Sequence, residues 1–122
     1  MICLIAAGKT TVFAATTFTL AWTHSVEKTR WEEDWRATAA GLQIVEARVK
    51  GSAAGIDPAE GAVLRDSWWI WRPSLPPQPR LVLSASDATG EGWTLCVEGR
   101  CAIFGDRPAD PAIVQPCGVH DQ

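Results

Sequence analysis

The chain contains no tyrosine and no asparagine, and its only histidines are His24 and His120. So few imidazoles restrict the chemistry available, because a two-histidine site would have to recruit one ring from the C-terminal end. Positive charge is also scarce. Eleven Lys and Arg stand against fourteen Asp and Glu, a formal net charge of −3. Without a basic cluster to neutralise phosphates, nucleic acid is not an expected partner. No long uninterrupted apolar run is present either. The most apolar stretch, residues 1–22, is broken by Gly8, Lys9 and a series of threonines. That is unlike the ~20 mostly apolar residues of a membrane helix, and Lys9 falls inside the would-be apolar segment of a signal peptide, which also lacks a basic start. The default compartment is therefore cytoplasmic, with a membrane-associated or periplasmic setting as the alternative. Finally, the four cysteines lack the paired C-x2-C spacing of a zinc site.

What the sequence has in excess is tryptophan, with seven in 122 residues. This length and an apolar fraction of 47% suit one globular domain with a single core, spanning residues 1–122 with a flexible tail from about 117 to 122. The apolar residues recur mostly with a period of two. Phe18, Leu20 and Trp22 alternate with Thr17, Thr19, Ala21 and Thr23, the signature of a half-buried strand. In Gly41–Lys50 the phase changes from Leu42 and Ile44 to Val45, Ala47 and Val49, as a β-bulge produces. Further strands are expected at Ile2–Ala6, Thr11–Ala15, Trp31–Ala37, Ser67–Arg72, Arg80–Ser84, Gly92–Val97, Arg100–Phe104 and Ala112–Gln115. The competing helical reading of Ser25–Ala40 lacks a clean apolar stripe. Pro73, Pro76, Pro77 and Pro79 make an extended connection, since proline cannot donate to a ladder. Many short strands in a small chain predict an all-β fold, a small antiparallel β-sandwich or partly open barrel.

Catalytic signatures are few. Gly8-Lys9-Thr10 ends like a phosphate-binding loop, but Cys3 stands where the first glycine belongs and a strand follows, so no nucleotide is expected. Gly51-Ser52-Ala53-Ala54-Gly55 does not centre its serine as a hydrolase elbow does. The richest polar constellation is His24, Glu27, Glu32, Glu33 and Asp34, which offers an imidazole and carboxylates to a small molecule or a divalent metal. On a strand, however, His24 and Glu27 face opposite ways, and no catalytic residue, metal or cofactor is assigned. Trp69 and Trp71 share one face of their strand, with Trp68 and Ile70 on the other. Such indoles serve either as core or as an interaction patch. A two-residue turn at Glu98-Gly99 sets Cys96 opposite Cys101 as a non-hydrogen-bonded pair, close enough for a disulfide. Cys3 and Cys117 remain, to form a second bridge near the two ends or to stay reduced with the others.

The segment Trp22-Thr23-His24-Ser25-Val26-Glu27-Lys28-Thr29, followed by Trp31-Glu32-Glu33-Asp34-Trp35, resembles a bacterial domain-of-unknown-function family, number eighteen-fifty. The likeness extends through Leu42–Gly55, Trp68–Pro73 and Trp93–Cys101, although Ala53 departs from a usually more glycine-rich stretch. Longer relatives carry an N-terminal membrane or export segment. The resemblance implies no catalytic activity; it implies a context beside TRAP transporters of the TAXI type, which take up small organic solutes. The expected function is a non-enzymatic accessory or interaction domain. Its expected partner is the transporter membrane subunit or the solute receptor. The candidate contact residues are His24, Ser25, Glu27, Glu32 and Glu33, together with Trp69 and Trp71. The alternative is a small-molecule or metal-binding β-domain using His24 and the nearby carboxylates.

Overall fold

The computed structural model describes residues 1–23, 29–51, 61–85, 92–106 and 110–118. His24, Ser25 and Glu27 lie outside the described residues. The described chain runs through β1 (Ile2–Ala6), β2 (Lys9–Phe13), β3 (Thr17–Thr23), β4 (Arg30–Thr38), β5 (Gly41–Lys50) and β6 (Val63–Arg65). It continues with β7 (Trp68–Trp71), β8 (Leu81–Leu83), β9 (Trp93–Val97), β10 (Arg100–Phe104) and β11 (Ala112–Pro116). Two antiparallel sheets pack as a sandwich that does not close into a barrel. The smaller has the order β2-β1-β11-β8 and the larger β10-β9-β3-β4-β5-β7-β6.

Alternation along each strand decides what is buried. From the larger sheet, Phe18, Leu20, Trp35, Leu42, Ile44, Ala47, Leu95 and Val97 turn inward. From the smaller, Ile2, Leu4, Phe13, Ala112 and Val114 meet them. Each fully buried Leu, Ile or Val contributes ~1.5–3 kcal/mol of transfer free energy, which makes this interior the main source of stability. The expected phase change in β5 is a β-bulge: Ile44 pairs with Trp35, Glu46 pairs with Asp34, and Val45 is the extra residue.

Two expectations about strands are corrected. The second strand begins at Lys9, not Thr11, because Ala7 and Gly8 adopt positive φ and form a two-residue turn that pairs Ala6 with Lys9. In addition, β6 has no counterpart among the expected strands. Its three residues are all exposed and show no alternation; pairing with β7 alone defines it.

The proline-rich segment crosses between sheets. Leu42 and Gln78 exchange backbone hydrogen bonds at 2.7 and 2.8 Å on the way from β7 to β8. Gly41 permits that approach: its φ is +127°, and a Cβ there would stand 2.5 Å from the Gln78 carbonyl oxygen. Both disulfides are formed. Cys96–Cys101 spans the β9–β10 hairpin in the expected register. Cys3–Cys117 joins the beginning and end of the described chain, where β1 and β11 are neighbours and the Cys117 N–H donates to the Met1 carbonyl at 2.9 Å.

Candidate functional site

Strand β4 carries most of the acidic segment, and its pleat sorts that segment between two environments. Trp31, Glu33 and Trp35 face the interior; Arg30, Glu32, Asp34 and Arg36 face outward, as their partners on β3 require. Glu32 and Glu33 therefore do not share a surface.

On the inner side, Glu33 pairs with Leu20 and Ala47, and its Oε1 accepts a hydrogen bond from the Trp35 indole N–H at 3.0 Å. Burial pushes the Glu33 carboxyl above its ordinary range, and the indole donor offsets part of the rise. Beside it, one row of the sheet runs Trp93, Trp22, Trp31, Val49, Trp69 and Leu64 across six strands. Trp22 lies parallel to Trp31 at 6.1 Å between ring centroids, Trp93 tilts against Trp22 at 5.1 Å, and Trp71 meets Trp31 edge-on at 6.3 Å. These are favourable aromatic geometries, and Trp71 packs with Trp22 and Trp93 against the core. The Trp93 indole donates to the Ser84 carbonyl at 2.9 Å. The indole nitrogens of Trp31 and Trp69 are buried without a hydrogen-bond partner among the described residues. The candidate residues Trp69 and Trp71 are thus inward-facing members of a tryptophan layer, on the shared face their spacing predicted.

The outer side holds a charge lattice centred on Arg48. Its Nε donates to Glu32 Oε1 at 2.8 Å, and its Nη1 donates to Asp34 Oδ2 at 2.9 Å and to Glu46 Oε2 at 3.0 Å. The Thr19 hydroxyl donates to Asp34 Oδ1 at 2.8 Å, and Arg30 adds a longer contact of 3.5 Å to Glu32. The Asp34 carboxylate raises the Arg48 pKa beyond its already high ordinary value. Arg48 and Glu46 were not among the candidate residues. Their signal was the bulge itself, because the extra residue at Val45 turns Glu46 and Arg48 outward, and register then sets Arg48 beside Glu32.

Chemically, the cation position of this lattice is already filled: a guanidinium occupies the centre of three carboxylates, where a ligand cation would otherwise be held. Among the described residues no group of three or more His, Cys, Asp or Glu side chains is arranged to hold a metal ion. The same face continues onto β7 and β6, where the Lys50 ammonium lies 5.6 Å from the Trp68 ring centroid. Beyond it a cleft of about 470 Å³ is lined by Glu46, Val63, Arg65, Ile70 and Arg72, with Val63 54% exposed. Among the described residues, Lys50, Arg65 and Arg72 make no ion pair.

Fold and site together define a two-sheet β-sandwich domain with a rigid charged outer face and a tryptophan-layered interior. Residues 18–104, more than two thirds of the chain, match the family described as Domain of unknown function (DUF1850), and the chain belongs to that family. No curated protein and no solved structure matches it.

Proposed function

We propose that this chain is a non-enzymatic interaction domain, accessory to a TRAP/TAXI-type solute transporter, which binds the membrane subunit or the solute receptor through the outer face of β4–β5–β7–β6. The observation that carries this reading is the outer face itself. Arg48 holds Glu32, Asp34 and Glu46 together, and this ordered patch adjoins a cleft of mixed polar and apolar lining rimmed by Arg65 and Arg72, cations without an ion-pair partner among the described residues. Ordered charged groups beside a cleft are what charge-complementary partner recognition uses. The unpaired basic rim selects an acidic surface on the partner.

Two disulfides in a chain of this size favour an oxidising setting, and hence the periplasmic alternative over the cytoplasmic default. The test is affinity recovery from cells shown to produce both this protein and the transporter subunits. The wild-type protein is expected to recover a transporter subunit, and the charge-reversed double variant Arg65→Glu/Arg72→Glu to lose it. Failure of the wild-type protein to recover any subunit overturns the proposal.

A further inference from the structure

Among the described residues, β10 pairs only with β9 and β2 only with β1, so each leaves one edge of backbone free. These two edges flank a cleft of about 360 Å³ between the sheets. Its apolar lining is made largely of small side chains, Ala6, Ala102 and Ala112, beside Leu4 and Phe104. A free edge beside a hollow lined by short side chains is the arrangement that receives an added strand: the edge supplies backbone hydrogen bonds and the hollow takes alternate side chains.

The register identifies the groups available. Arg100, Ala102 and Phe104 stand opposite Val97, Leu95 and Trp93. Residues next to the two-residue turn form a hydrogen-bonded pair, so hydrogen-bonded and non-hydrogen-bonded pairs alternate from Arg100 onward. The N–H and C=O groups of Cys101 and Ile103 therefore point away from β9, along the free edge. Ile103 is 67% exposed there. The β2 edge is guarded by Lys9 at the cleft, whereas Cys101–Phe104 carries no charge, and the Arg100 guanidinium lies over the Phe13 ring at 5.9 Å. Charge also orders the two ends of β10, with Arg100 at its start and Asp106 just past its finish.

We propose that β10 is a docking edge for an extended peptide segment of another protein, added antiparallel to it. The incoming strand carries small or β-branched apolar residues at alternate positions facing the cleft. It has a basic residue at its start, near Asp106, and an acidic one at its end, near Arg100. This site lies apart from the outer face of β4–β5–β7–β6 and does not depend on the transporter reading.

The test uses the oxidised full chain and a fluorescein-labelled octapeptide with lysine first, glutamate last, and valine alternating with serine or threonine between them. Saturable binding by anisotropy is expected, with amide exchange at Cys101 and Ile103 slowed at least about tenfold. Ile103→Pro removes the outward N–H without breaking the β9 ladder and is expected to weaken binding at least about tenfold, whereas Ile103→Thr keeps the N–H and stays within about threefold. Exchange at the two wild-type amides decides the matter even if the proline variant fails to fold. The proposal is overturned if the wild-type protein shows neither saturable binding nor slowed exchange, or if a folded Ile103→Pro binds as the wild type does. Sedimentation showing the free protein already dimeric, and monomeric as Ile103→Pro, would assign the edge to a second copy and equally overturn it.

Discussion

Removing the Cys3–Cys117 cross-link, by Cys3→Ala with Cys117→Ala, is expected to destabilise the protein far more than removing Cys96–Cys101 in the same way. The reason lies in the loops that each bridge closes in the unfolded chain. Cys3 and Cys117 are 114 residues apart, and Cys96 and Cys101 only 5. If a disulfide stabilises by restricting the unfolded ensemble, its effect grows as 1.5RT ln n, about 4.8 kcal/mol for the long loop and about 2 kcal/mol for the short one. The difference, about 2.8 kcal/mol, depends only on the two separations. With an unfolding entropy of ~2.1 cal/mol/K per residue, 1 kcal/mol corresponds to about 4 °C in a chain of this length. The Tm is then expected to fall by roughly 20 °C in the first variant and roughly 8 °C in the second. Alanine rather than serine avoids burying a hydroxyl at position 3, where the side chain is enclosed. Urea and thermal unfolding of the two double variants, beside the oxidised parent, measure both losses. If the hairpin variant loses as much as the terminal one, unfolded-state restriction is not how these bridges act.

Three further outcomes follow from the two faces of β4 and the β5 approach. Burial holds the Glu33 carboxyl above its ordinary range, so between the unfolded and the native pKa the native state keeps a proton that the unfolded chain has released. The buried charge therefore costs stability above the native pKa, and the cost is relieved as pH falls through it. Glu33→Gln, which keeps an acceptor for Trp35, is expected to be more stable than the parent near neutrality and to converge with it in acid, as denaturation curves across pH would reveal. Arg48→Met leaves Glu32, Asp34 and Glu46 crowded without their shared cation and is expected to cost about 2–4 kcal/mol in urea unfolding. A double variant that also replaces Asp34 by Asn should recover part of that loss. Gly41→Ala forces a Cβ to within 2.5 Å of the Gln78 carbonyl at positive φ, and a loss of about 2 kcal/mol or more is expected in thermal unfolding, with faster amide exchange at Leu42 and Gln78.

What can be read locally was legible in the sequence. Period-two alternation marked most strands, because side-chain direction in a strand depends only on position parity. The same parity placed Trp69 with Trp71 and separates Glu32 from Glu33. The phase break in β5 marked the bulge, and the turn at Glu98-Gly99 brought Cys96 to Cys101, since five residues of separation leave a hairpin little freedom. The β6 strand was not legible, because three exposed residues carry no periodicity and are ordered by the neighbour they pair with.

By itself, then, the sequence determined an antiparallel β domain, the hairpin geometry that lets Cys96 meet Cys101 and the sidedness of the strands that alternate, all consequences of backbone geometry over a few residues. The tertiary structure alone decided the rest. It chose which strands became neighbours, and so closed Cys3 on Cys117 across nearly the whole chain. Pairing of β5 with β4 across the bulge brought Arg48 among three carboxylates, register across the larger sheet aligned indoles from four strands in one row, and strand order left the β10 edge free, among the described residues, beside a hollow. Most of these contacts join residues on different strands, and their positions follow from which strands pair and in what register, which no local pattern fully encodes.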